Sequence, residues 1–130
     1  NADVADYRAI AKEGIAADQR SLPAYEKDAR APAAGFSTIN AAADTLLSYD
    51  QPAKAEELYK LALAKAPAAE KDRVLTRLGI AQADLGKYSD AQATFAQVTT
   101  GARGAVAKLW LAYVKSKSAP VAAPAAVAAN

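Results

Sequence analysis

Three aromatic residues, Tyr25, Tyr59 and Phe95, stand 34 and 36 residues apart, each in a similar frame: "AYEKDARAP", "LYKLALAKAP" and "TFAQVTTGA". Ala55 and Ala91 precede their aromatic by four residues, one helical turn, and Pro32 and Pro67 follow theirs by seven and eight. A period of this length, filled by two short helices, describes pairs that each leave an apolar face for a neighbour to cover. The spacing therefore predicts helix pairs stacked in a row.

Between the aromatics, apolar residues recur at steps of three and four, and Pro and Gly break the pattern at regular points. Seven helices are expected: Asp3 to Asp18, Leu22 to Arg30, Phe36 to Tyr49, Pro52 to Lys65, Asp72 to Leu85, Tyr88 to Thr99 and Gly104 to Lys117. Pro23 falls in the first turn of the second, where its missing N–H does no harm. "APAAG", residues 31–35, reads as a connector, and no segment alternates with the period of a strand. The Ala/Pro-rich tail, residues 119–130, has little to bury and reads as a linker. Alternatively, Val121 and Val127 lie along the last helix or bridge to a neighbouring molecule.

Gly79 interrupts a helix in which Ala would be more stable by roughly 1 kcal/mol. A close helix crossing gives it a reason, because a Cβ there would hold the axes apart. Gly79 and Ala91 are expected to face each other at that crossing. Gly86 is expected to end its helix in a left-handed conformation, with Tyr59 and Phe95 filling the space between successive pairs.

Hydrophobic residues make up 52% of the chain and aromatics only 7%, so much of the apolar share is alanine and the layers should be thin. The chain has no cysteine and no histidine. That removes the common zinc ligands, disulfides, thiol nucleophiles and imidazole bases. No nucleophile is paired with a base, so no enzyme, cofactor or metal site is expected. A net charge of +2 is too weak to indicate nucleic acid or an anionic membrane, and no apolar run approaches a membrane span.

Leu78-Gly79, Gly86-Lys87-Tyr88, Ala91 and Phe95 follow, step for step, a pattern of Leu-Gly, Gly-x-Tyr, Ala and an aromatic. In this the chain resembles the tetratricopeptide repeat (TPR) family, and short exported bacterial members in particular. The preceding unit is looser: Ala42-Ala43 replaces Leu-Gly and Asp50-Gln51-Pro52 replaces Gly-x-Tyr, while Ala55, Tyr59, Ala62 and Pro67 fit. The resemblance divides residues 1–118 into a degenerate repeat (2–32, with Asp28 where a small residue belongs), a repeat at 36–67, the best match at 72–103 and a capping helix at 104–117. It implies an all-α antiparallel helix-pair solenoid, a right-handed superhelix whose concave face is lined by the first helix of each pair.

On that resemblance the inward positions are Ser37, Asn40, Asp44 and Leu47, then Arg73, Thr76, Ile80 and Ala83 with Asp84 next. The last helix adds Leu109, Tyr113 or Trp110 according to its register. The partner-binding candidates are Asn40, Asp44, Leu47, Arg73, Thr76, Ile80, Asp84 and Trp110. The family's carboxylate clamp needs Lys and Asn where Asn40, Asp44, Thr76 and Ile80 stand, so clamp function is not expected. Trp110, the only tryptophan, either covers the end of the core or anchors a partner. Arg73 and Arg77 are a thin supply for reading RNA, and no nucleic acid is expected. The reading is a non-enzymatic scaffold that binds an unidentified protein or peptide in its groove. The alternative is a structural module that self-associates as a homo-oligomer through its terminal helices. The lack of cysteine, the missing initiator, the Ala-Pro tail and the resemblance favour a periplasmic or secreted setting over the cytoplasm.

Overall fold

The computed structural model describes residues 12–13, 19–98 and 101–118, with side chains of the last stretch described from 104 to 117. All regular structure among these residues is helical: residues 19–30 (α1), Phe36–Ser48 (α2), Pro52–Lys65 (α3), Ala68–Asp84 (α4), Tyr88–Ala96 (α5) and Gly101–Ser118 (α6). Most of the expected first helix, and the whole tail from 119, lie outside the described residues. The chain divides between Lys65 and Ala66 into two compact units. None of the described helices is long and apolar enough to cross a membrane.

In the first unit, α2 buries Ile39, Asn40, Ala42, Ala43 and Leu46, and α3 buries Ala55, Glu56, Leu58, Tyr59 and Ala62. These are the three-and-four-step positions of one face on each helix, and the alanines among them let the two come close. Tyr59 is fully buried, which obliges its hydroxyl to find a partner. It donates to Oδ1 of Asp44 at 2.6 Å and so ties α3 to α2. α1 begins no later than Gln19, so Pro23 lies further into the helix than its expected first turn.

A charged ladder joins α1 to α3. Arg30 meets Glu26 one turn away at 3.0 Å and Glu57 at 2.6 Å, while Lys54 meets Glu26 at 2.9 Å. The Lys54 hydrogen bond, aided by Arg30, outweighs desolvation and holds the Glu26 carboxyl below its ordinary value. The Glu57 and Glu26 carboxylates likewise raise the Arg30 guanidinium.

In the second unit, α4 starts at Ala68 and not at Asp72. Pro67, at φ −58° and ψ 152°, turns the chain into the helix, and its carbonyl accepts from the Glu70 N–H at 2.9 Å. Two alanines and an acid in the first turn then favour helix. α5 ends at Ala96, short of the expected Thr99, where β-branched Val98, Thr99 and Thr100 disfavour continuation. α6 begins three residues early, at Gly101. Within the pair, the Thr94 hydroxyl of α5 donates to Oε1 of buried Gln82 on α4 at 2.6 Å.

The three atoms nearest a Cβ built on Gly79 all belong to Phe95, one turn beyond Ala91 on α5. Such a Cβ would lie 2.6 Å from Cζ and 2.7 Å from Cδ1 of Phe95, and closer still to Cε1. The ring is almost wholly buried and also stacks on Trp110 of α6, with centroids 6.0 Å apart. Phe95 thus fills the space among three helices, and glycine is what lets it reach the α4 backbone. Tyr25 behaves differently from its two counterparts, remaining 48% exposed.

The first helix of each unit's α2–α3 or α4–α5 pair stops in the same way. After α2, Asp50 takes φ 58°, its N–H bonds to the Leu47 carbonyl (3.1 Å), and the Gln51 N–H bonds to the Leu46 carbonyl (2.9 Å). After α4, Gly86 takes φ 75°, with matching bonds from Gly86 to Ala83 (3.0 Å) and from Lys87 to Gln82 (2.9 Å). Both are Schellman closures, which satisfy carbonyls that a helix end otherwise leaves unpaired. They lie 36 residues apart.

Candidate functional site

α6 carries apolar residues on two sides. One side, with Gly104, Ala107 and Val114, is buried in the unit. The other, with Val106, Leu109 and Tyr113 at steps of three and four, faces outward at 44%, 74% and 49% exposure. Between this helix and the C-terminal end of α4 lies a cleft of about 350 Å³ lined by Ala83, Asp84, Leu109, Trp110 and Tyr113.

The walls of the cleft follow from the packing beneath them. Trp110 is half-buried because one ring face rests on Phe95, and Tyr113 meets it edge-on at 5.9 Å, an arrangement that aromatic quadrupoles favour. Ala83 is buried and small, which leaves room above it. Asp84 is the last residue of α4, is exposed, and has no basic residue in its own last turn. Its charge adds to the negative end of the helix dipole. Lys117 places Nζ 5.5 Å from the centre of the Tyr113 ring. The cleft thus offers a rigid apolar surface for one or two side chains, with a carboxylate at its edge. That arrangement can hold a peptide but has no acid and base poised over a common point.

Of the eight candidate residues, Asp84 and Trp110 are brought together in this cleft. Arg73 is half-buried and pairs with Glu70 at 3.8 Å. Thr76 is buried and its hydroxyl turns back to the Asp72 carbonyl at 2.8 Å, while Ile80 is half-buried. In the first unit Asn40 is buried, with Oδ1 lacking a hydrogen-bond partner among the described residues. Asp44 is half-buried and engaged by Tyr59, and Leu47 is half-buried.

A second cleft, of about 430 Å³, lies within the first unit between α1 and α2. Tyr25, Asp28, Thr38, Thr45 and Tyr49 surround a floor made by Ala41 and Ala42. Sequence reasoning missed it as a site. The available signal was Asp28, a charged residue at a position where the repeat pattern calls for a small one. No family model, no curated protein and no solved structure matches this chain.

Proposed function

We propose that the chain is a TPR-type, non-enzymatic interaction module that holds a segment of a partner protein in the α4–α6 cleft. The observation that carries this reading is the aromatic wall: half-buried Trp110, braced by Phe95 and Tyr113, beside an outward Leu109 and facing Asp84. Rigid aromatics with one exposed face are the usual anchors of interfaces. The repeat assignment draws support from the two identical helix stops 36 residues apart and from the buried rings Tyr59 and Phe95 at the same interval. Peptides selected from a random library on the immobilised chain should change Trp110 fluorescence on titration. Leu109→Asp should weaken them by about tenfold or more, roughly the loss of one apolar anchor, with helicity unchanged. Peptides that bind the variant as well as wild type would remove the cleft from consideration.

A second reading is self-association through the last helix, favoured by the outward stripe of Val106, Leu109 and Tyr113. It predicts a dimer by light scattering that Leu109→Asp dissociates; a strict monomer at high concentration counts against it.

A further inference from the structure

The two clefts, each inside one unit, share a chemistry. Trp110, Tyr113 and Asp84 meet in one; Tyr25, Tyr49 and Asp28 meet in the other. Two aromatic faces, each with a negative quadrupole, together with one carboxylate form a place where a cation is stabilised by both. In the second unit the sign is reinforced by position. Asp84 closes α4 at the negative end of its dipole, and no basic residue lies in that last turn. The protein supplies its own precedent there, because the Lys117 ammonium already rests over the Tyr113 ring.

In the first unit Asp28 occupies a packing position of the repeat pattern, yet it is exposed, and none of the hydrogen bonds or ion pairs among the described residues involves its carboxylate. Tyr25 stands where Tyr59 and Phe95 are buried in their own pairs, but it is 48% exposed.

We infer that the partner segment is cationic, with arginine or lysine side chains seated on these aromatic pairs and against Asp84 and Asp28. This rests on the proposed peptide-binding function and names the chemistry of its ligand. Arginine suits the clefts better than lysine, since its planar group stacks on rings while its N–H fork meets a carboxylate. Asp84 already interacts within the protein, but an exposed carboxylate has about four acceptor positions, so a further donor can join. The chain's net charge of +2 does not oppose this at contact range, because exposed charges more than about 8–10 Å away are largely screened at physiological salt.

The test uses the full chain and three capped hexapeptides in which leucine alternates with arginine, glutamine or glutamate. Trp110, the single tryptophan, reports on the second unit by fluorescence, and the ring resonances of Tyr25 and Tyr49 report on the first by NMR. The arginine peptide should bind about tenfold tighter than the glutamine peptide, a margin of one decade in Kd, and the glutamate peptide weakest. Asp84→Asn should reduce the arginine-over-glutamine preference seen by Trp110, weakening the arginine peptide more than the glutamine peptide. Asp28→Asn should do the same at Tyr25 and Tyr49. Equal binding of the arginine and glutamine peptides, or tighter binding of the glutamate peptide, overturns the inference and leaves the peptide-binding reading standing. Equal loss of both peptides in the Asn variants, with the preference intact, also overturns it. Failure of all three peptides to bind brings down the proposed function and the inference with it.

Discussion

Gly79 lies against the ring of Phe95, and the same ring stacks on Trp110. A side chain at position 79 therefore has to displace a buried, stacked ring. Gly79→Leu should cost roughly 1–3 kcal/mol by overpacking, read as a lower urea midpoint with an unchanged slope. Combining it with Phe95→Leu should recover part of the loss, since residues in contact do not act additively. At Tyr59 the issue is polar: Tyr59→Phe removes a hydrogen bond to a half-buried carboxylate and should cost about 1–2 kcal/mol in the same measurement. The need for glycine at 79 was legible, because only close approach justifies it inside a helix. The contact with Phe95 was not, because helical spacing fixes which face a residue is on but not which neighbour's ring reaches across. Asp44 shows the same boundary. Its place on α2 could be read from the sequence, whereas its engagement by Tyr59 depends on two helices meeting.

Helix interiors were easier to read than helix ends. Apolar steps of three and four located α2 to α6, and Pro52 and Gly86 marked a start and a stop that the structure keeps. α4 began early because Pro67 and two alanines start a helix without any Ser, Thr or Asp to announce it. The stop at Asp50 was hidden by its side chain, since aspartate there adopts a backbone shape usually left to glycine. Asp50→Gly should raise stability by about 0.5 kcal/mol by relieving the left-handed backbone, and Gly86→Ala should lower it by about 1 kcal/mol. Thermal midpoints of the two variants should move in opposite directions. The ladder between α1 and α3 adds a pH dependence. Glu26 is held below its ordinary value of 4.5, mainly by Lys54 and then by Arg30. Its contribution is therefore complete above that value and is lost as pH falls through the lower folded-state value. Glu26→Gln should lower the thermal midpoint at neutral pH, and the gap from wild type should close under strongly acidic conditions.

Among the described residues, each unit buries one large ring, Tyr59 in the first and Phe95 in the second, with aliphatic residues such as Ile39, Leu46 and Leu58, or Val74, Leu78 and Val114, around it. Phe95→Ala should cost about 3–5 kcal/mol, a large share of the roughly 5–15 kcal/mol available to a domain. Because Trp110 loses its stacking partner in that variant, its fluorescence transition should shift to lower urea than in wild type. All-α character followed from the whole sequence, whereas the first unit's cleft did not, because it needed Tyr25 to stay uncovered. The matched stops at Asp50 and Gly86 carry one last implication. A motif written in letters scores aspartate at that point as an error, yet one written in the sign of φ scores both positions alike. The sign of φ thus marks the 36-residue interval at both positions, where the residue types differ.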